Sequence, residues 1–382
     1  MPPSRLHYFT GILGLLGLMA LPLRAAPTVE ERLAALEDKL AALSAENSSL
    51  REKLAAKPGA LPVTIAGKET KLALGGFLHL NAESGDAPDS RYAGIHERFL
   101  VRRARLNLKG SFGSDWSFKL ESDFGANTTG TTSAYRAQLT DVYVDWTPNP
   151  AAQVRVGQFK TPFGWEQLMP DTQNPFAERP LANDRLTLSR QIGAALSGTL
   201  AGGRADYSVG AFNGNGVNNA GNDNNAFLTV ARVSAKAWTG KIHEQAATWS
   251  VGANAFTTRD TGTFTGRREG FGLDTQFNAG PAILRAEWLT STSDPAAAAA
   301  TEADGWYLTA LYDLTKTWQF AARYETYDAN TATARNETDT LVLGVNHRIR
   351  GNDLVLTLNY LAGNADLGGN DDRLIARLQV VF

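Results

Sequence analysis

The last ten residues of the chain largely alternate between apolar and polar side chains. Because successive side chains of a strand point to opposite sides, this segment has one apolar face and one polar face. The ends of soluble domains usually fray, whereas a final strand of this kind can close a barrel with lipid outside and water inside. The pattern therefore predicts a membrane-embedded β-barrel. The apolar face carries Leu374, Ala376, Leu378, Val380 and Phe382, and the polar face carries Arg373, Arg377 and Gln379.

The same alternation runs through the chain from Lys71 onwards. Residues 101–110 read VRRARLNLKG, in which Ala104, Leu106 and Leu108 form the expected lipid face. A soluble β-sandwich also alternates, so alternation alone does not separate the two fold classes. The expected lumen face of this strand and the next two carries Arg103, Arg105, Asn107, Lys109, Lys119, Glu121, Asp123, Asp141 and Asp145.

The lengths of the connections separate these fold classes. Tight turns such as Gly113-Ser114 and Ala279-Gly280 alternate with long connections such as 83–95 and 213–225. Short turns on one side and long loops on the other are typical of bacterial outer-membrane barrels, and sixteen strands leave room for water. We predict an all-β fold, a closed antiparallel transmembrane barrel of about sixteen strands over residues 71–382. The strands are expected to begin near residues 71, 96, 115, 137, 151, 188, 204, 226, 246, 266, 281, 302, 317, 338, 353 and 371.

The N-terminal residues 1–25 have the layout of a secretory signal peptide. Arg5 precedes an apolar run over residues 8–23, and small residues follow it. The run is shorter than the ~20 apolar residues of a spanning helix. Pro27 disfavours cleavage directly before it, which places the cut after Ala25. The alternative is an uncleaved helical anchor. A signal peptide with a barrel predicts the outer membrane of a Gram-negative bacterium.

Residues 26–58 carry a heptad repeat of leucines. Leucine at the a and d positions is typical of a coiled coil, and Asn47 falls on an a position, where a buried amide can set the register. We predict a short periplasmic coiled coil, followed by a linker over residues 59–70. The alternative is a lone amphipathic helix. The seam consists of Val29, Leu33, Leu36, Leu40, Leu43, Asn47, Leu50 and Leu54.

The third long loop, residues 162–187, differs from the others. It contains Pro162, Pro170, Pro175 and Pro180 together with several large apolar groups. Such a composition suits packing against a wall better than exposure to water. In general porins the third loop folds into the lumen and narrows it, and we expect the same here. The alternative is a lid at the surface.

The sequence offers no catalytic or metal-binding motif. The five histidines lack metal-ligand spacing, the chain has no cysteine, and Gly-x-Ser-x-Gly, His-Glu-x-x-His and P-loop patterns are missing. A net charge of −2 gives no indication of nucleic-acid binding. We therefore expect no enzyme activity, cofactor, metal or nucleic-acid partner. A barrel enzyme with an inward Ser or Asp beside His79 is the alternative.

Several runs resemble the phosphate-selective porin O/P family. They are FLVRRARLNLKGSFGSDWSFKLESDF, VRVGQFKTPFGWEQL and ERPLANDRLTLSRQIGAAL. The resemblance implies a homotrimer of sixteen-stranded barrels in the lipid bilayer that passes small anions. It also implies pathway roles for Arg102 and Arg103, which match paired arginines on the second strand, and for Asp123, which matches an acidic residue on the third.

Two positions depart from the strongly phosphate-selective pattern. Phe77 and Gln158 stand where those members have arginine. A desolvated phosphate needs several converging cationic donors. The expected inward bases, which include Arg105, Lys109, Lys119 and Arg155, are also nearly balanced by acids. We predict a porin for passive diffusion of small hydrophilic solutes with a mild preference for phosphate-like anions. A specific channel for a non-phosphate solute and a structural tether are the alternatives.

Overall fold

The computed structural model describes residues 63–66, 70–126, 129–131, 134–223, 226–261, 265–365 and 371–382, together with Lys39. The predicted signal peptide and coiled coil lie outside these residues. The strands are β1 (Val63–Ala66), β2 (Thr70–Gly85), β3 (Arg98–Phe112), β4 (Trp116–Asp123), β5 (Gln138–Asn149), β6 (Ala152–Lys160), β7 (Arg190–Leu200), β8 (Ala205–Phe212), β9 (Leu228–Ile242), β10 (Gln245–Thr261), β11 (Thr265–Ala279), β12 (Ala282–Pro295), β13 (Thr301–Asp313), β14 (Trp318–Asp328), β15 (Glu337–Asn352), β16 (Leu354–Ala365) and β17 (Asp372–Val381).

Each strand from β2 to β17 pairs antiparallel with the next, and β17 pairs with β2. Val381 lies opposite Phe77 and Arg373 opposite Gly85, so the sheet closes on itself. The predicted closed barrel of sixteen strands is confirmed, and every predicted strand start lies within two residues of the observed one. Among the described residues from Thr70 onwards, the helical segments are the short helices α1 (Trp165–Leu168) and α2 (Leu181–Leu186) and the 3-10 turns Ser90–Tyr92 and Asp171–Gln173.

The segment predicted as a linker, residues 59–70, contains a strand that the sequence analysis missed. Strand β1 pairs antiparallel with residues 71–74 of β2. This stretch of β2 extends past the last pair that β17 makes with it, Val381 opposite Phe77. Four residues are too few to show a period of two, which is why the pattern did not reveal the strand.

The outer surface of the barrel is apolar and ringed by aromatic side chains. Trp116 and Trp146 lie opposite each other beside tight turns, with ring centroids 6.2 Å apart. Trp288 and Trp306 form another exposed cross-strand pair. Such rings favour the boundary between lipid and water. Among the described residues, no helix is long and apolar enough to span a membrane.

The closed hydrogen-bond ladder predicts resistance to detergent. In lipid all backbone polar groups must pair inside the protein, and a closed sheet leaves no edge from which to unravel. We expect the folded barrel to survive SDS at room temperature and to unfold on boiling. Unheated and boiled samples should then migrate differently on a gel. Equal mobility of the two samples would argue against a closed barrel.

Candidate substrate pathway

The connection between β6 and β7, residues 161–189, crosses the interior of the barrel. Its backbone N–H groups donate to inward side chains of four different strands, which satisfies groups that would otherwise be buried without partners. These contacts tie the segment, named the lumen loop, to the stretch of wall from β10 to β16. They run from Gly164 to Asn254 Oδ1 (3.1 Å), Trp165 to Glu287 Oε1 (2.5 Å), Ala177 to Asn359 Oδ1 (2.7 Å) and Leu181 to Glu325 Oε1 (3.0 Å).

Apolar packing accounts for the composition of the lumen loop. Phe163 is fully buried and meets Phe256 of β10 edge to face, with ring centroids 4.8 Å apart. Phe176 packs into a second cluster with Leu311 and Val342. Inward apolar residues of the wall are thus used to hold the loop, and burial of each large side chain contributes about 1.5–3 kcal/mol.

Glu178 at the middle of the lumen loop is held by arginines from both sides of the barrel closure. Arg102 of β3 donates to both carboxylate oxygens, at 2.8 and 3.0 Å. Arg377 of β17 donates to Oε1 at 2.8 Å, and Arg323 donates to the Glu178 carbonyl at 3.1 Å. Burial opposes ionisation of Glu178, but Arg102 and Arg377 outweigh it and hold the pKa of this carboxyl well below its usual range.

Asp171 forms a second anchor of the same kind. Arg105 of β3 and Arg179 of the loop each donate to it at 2.5 Å, and Arg103 Nη2 lies 3.5 Å from Oδ1. Burial again opposes ionisation, and the arginines, Arg103 first among them, hold the pKa of Asp171 well below its usual range. Two loop carboxylates therefore occupy the wall arginines that an entering anion would otherwise meet.

A β-bulge lets adjacent arginines enter the lumen together. His79 of β2 lies opposite Arg103, and the next residue of β2, Leu80, lies opposite Val101. Arg102 is the extra residue of the bulge, so it escapes the alternation that would send it outward. The bulge thereby places Arg102 on Glu178 and Arg103 near Asp171.

The wall from β3 to β7 carries a row of alternating charges. Arg105 Nη1 lies 3.6 Å from Glu121, whose second oxygen lies 2.8 Å from Lys119 Nζ. Lys119 also contacts Asp141 at 2.7 Å, and Asp141 accepts from Arg190 Nε at 2.7 Å. Each of these bases is shared between, or bound to, carboxylates, so their positive charge is largely balanced locally.

Arg155 on β6 is similarly occupied. Its Nε and Nη2 donate to the two oxygens of Asp145 at 2.7 and 2.8 Å. Its guanidinium carbon lies 3.8 Å from the ring centroid of Tyr143, a cation–π contact. Both the donor edge and one face of the guanidinium are therefore already covered.

A cavity of about 710 Å³ lies between the lumen loop and this wall. The cavity bases outnumber the acids by six to three, and among the described residues Lys109 and Lys160 have no carboxylate within 4.0 Å. Lys160 donates instead to the Met169 carbonyl at 3.0 Å. The charged lining residues are Arg105, Lys109, Lys119, Arg155, Lys160 and Arg190 against Glu121, Asp141 and Asp171.

The structure brings together most of the residues singled out from the sequence. The cavity lining includes Phe77, Arg105, Lys109, Lys119 and Arg155. The Arg105 guanidinium lies 5.3 Å from the ring centroid of Phe77, and Asp123 binds its Nε at 2.8 Å.

Gln158 is not brought to the cavity. Its side-chain amide donates to the carbonyls of Leu139 and Thr140 at 2.9 and 3.0 Å, where β5 and β6 separate. It also exchanges hydrogen bonds with Asn218 in the connection after β8. Gln158 lies opposite Val142, which directly follows the inward Asp141 and so belongs to the other face of the sheet. The alternation of the strand therefore already places Gln158 away from the lumen.

Sequence reasoning missed the anchoring carboxylates and two of the cavity bases. Asp171 and Glu178 stand in the segment expected to enter the lumen, opposite a wall expected to be rich in arginine. That combination is a usable signal for ion pairing. Lys160 and Arg190 flank the lumen loop at the ends of β6 and β7, where they lie opposite each other in the sheet.

Comparison with known structures supports the architecture. An anion-selective porin from Comamonas acidovorans is 15% identical over 82% of this chain and 100% of its own, with a TM-score of 0.59. The outer-membrane channel DcaP of Acinetobacter baumannii is 15% identical over 83% and 99%, with a TM-score of 0.59. The trimer form of OmpT from Vibrio cholerae is 11% identical over 82% and 100%, also at 0.59. No curated protein matches the chain significantly.

A closed sixteen-stranded barrel with an apolar exterior and a charged interior defines an outer-membrane porin. The sequence profile of the family "Phosphate-selective porin O and P" matches residues 73–382. The chain belongs to this family.

Proposed function

We propose that the barrel passes small hydrophilic anions by diffusion, with a modest preference over cations. The observation that carries this proposal is the composition of the 710 Å³ cavity, where six basic side chains face three acidic ones. Charges that line a low-dielectric path act strongly on a passing ion. The porin from Comamonas acidovorans, which has the same fold, is anion-selective, and this likeness supports the proposal.

The preference is modest because most of these bases already have carboxylate partners. Phosphate selection requires several free donors that converge on one desolvated ion. Here Arg102 and Arg103 face Glu178 and Asp171 of the lumen loop instead. We propose that these arginines mainly position the loop, which forms the constriction, and that the exposed Lys109 supplies most of the accessible positive charge.

The assembly and its orientation are part of the same proposal. Short turns face the periplasm in bacterial barrels, and long loops face outward. Residues 1–25 would direct export, and the leucine seam of residues 26–58 would form a periplasmic coiled coil. Association through that seam is expected for leucines at a and d positions, and three as the number of copies is supported by the trimer form of a Vibrio cholerae barrel of the same fold.

Reversing the charge of Lys109 tests the role of the cavity. Lys109→Glu should move the zero-current potential in a KCl gradient toward the potassium side, since it converts a lining cation that has no carboxylate partner among the described residues into an anion. The control is Lys241→Glu, an equal charge change on a side chain that is 68% exposed beside a tight turn. A shift of equal size in both variants would contradict a specific role for the cavity.

A further inference from the structure

We infer that the cavity favours organic anions with an apolar body, such as aromatic carboxylates, over inorganic phosphate. This inference rests on the proposed anion channel and names the class of solute that the same site prefers. It follows from the chemistry that the cavity offers to a solute, which combines an apolar lining with the exposed ammonium group of Lys109, which has no carboxylate partner among the described residues.

The guanidinium groups of the cavity are poorly placed to form a phosphate cage. Arg105 is bound by Asp123 and Asp171, and Arg155 is bound through two nitrogens by Asp145. Arg190 is bound by Asp141. A phosphate would have to displace these carboxylates, each on a part-buried or buried arginine, to gain equivalent bonds. Carboxylates that are already in place therefore act against a compact, strongly hydrated anion.

The remaining accessible cation is Lys109, which shares the cavity with an apolar lining. Phe77, Tyr143, Leu168 and Pro170 line the same cavity. A lysine is a point charge without the fixed fork of arginine, so its geometry does not favour phosphate over a carboxylate. The apolar lining then decides between them, because only a solute with an apolar body gains by removing that surface from water.

The cavity also has the size of an organic ligand site. Pockets for small molecules usually occupy about 300–1,000 Å³ and combine an apolar lining with a few polar groups. The 710 Å³ found here fits that description. A phosphate ion would fill a small part of it and leave most of the apolar lining without a partner.

The two positions that depart from the phosphate-selective pattern differ in their distance from the cavity. Phe77 lies in the cavity, whereas Gln158 lies outside it on the backbone of β5. The phenylalanine at residue 77 removes a phosphate donor from the site and puts there an aromatic ring that is 7% exposed and lies beside the Arg105 guanidinium. Phe77 is therefore the residue through which we expect solute preference to be set.

The test measures the block of chloride current through the full-length protein in a planar bilayer. Benzoate, acetate and inorganic phosphate are each titrated at the same pH and ionic strength. Benzoate should halve the current at a concentration about tenfold lower than either other anion needs, a factor equivalent to about 1.4 kcal/mol. In Phe77→Ala, the benzoate concentration that halves the current should rise close to the acetate value. Phe77→Arg should lower the phosphate concentration needed for block, and Gln158→Arg should leave all three values unchanged.

The outcomes separate this inference from the anion channel on which it rests. Equal block by benzoate and acetate, or stronger block by phosphate, would overturn the inference even if the KCl gradient still shows chloride preference. A benzoate advantage that persists in Phe77→Ala would also overturn it. A folded channel without chloride preference in the same bilayer would instead remove the proposed function.

Discussion

Single-channel conductance is expected to increase several-fold when Asp171→Asn and Glu178→Gln are combined. These carboxylates hold the lumen loop to Arg102, Arg103, Arg105 and to Arg377 on the other side of the closure. Removing one partner of a buried ion pair typically costs roughly 3–5 kcal/mol. Without both anchors the loop should leave the wall and widen the path. The released arginines should also raise chloride preference.

The control for this double variant carries the same charge change away from the loop. Glu244→Gln combined with Asp353→Asn alters two exposed residues at tight turns. We expect wild-type conductance from it. A loop-anchor variant with wild-type conductance and wild-type selectivity would show that apolar packing and the backbone hydrogen bonds to the wall hold the loop in place without these ion pairs.

Acid should release the same anchors, but only in strong acid. Asp171 and Glu178 have pKa values held well below the usual range by their arginines. Because these pKa values are lower in the docked state, ionisation of the two carboxyls stabilises the docked loop at pH values above the ordinary carboxyl pKa of about 4. This stabilisation is lost as the pH falls through the lowered pKa values.

The measurement is a pH titration of single-channel conductance in the wild type and in the Asp171→Asn, Glu178→Gln variant. The part of the pH dependence that disappears in the variant reports the two anchors. It should be flat from about pH 7 to about pH 4 and change only below that value. A midpoint within that flat range would contradict the anchoring by arginine.

The strands could be predicted because a membrane barrel imposes one rule on every residue. Each lipid-facing side chain must be apolar, so the period of two and the turn residues mark the strand starts closely. Strand β1 is too short to show that period. The lumen loop was recognisable from its proline and aromatic content, since such a segment needs a wall to pack against.

The partners of the candidate site were less accessible to sequence reasoning. Strict alternation sends Arg102 outward, and only the bulge opposite His79 and Leu80 brings it inside. The pairing of Glu178 with Arg102 and Arg377 joins residues that are 76 and 199 positions apart. Gln158 shows the opposite case, because family position suggested a pathway role while its strand partners place it elsewhere.

The zero-current potential of the wild-type channel in a KCl gradient tests the central claim most directly. Purified full-length protein is inserted into a planar bilayer between about 0.1 M and about 1 M KCl, and the dilute side keeps a Debye length of ~10 Å, so that lining charges still act on passing ions. The cavity, with six bases against three acids, predicts a zero-current potential with the sign of chloride selectivity. Its magnitude should be well below that of a channel that passes only chloride. A potential on the potassium side would contradict the account.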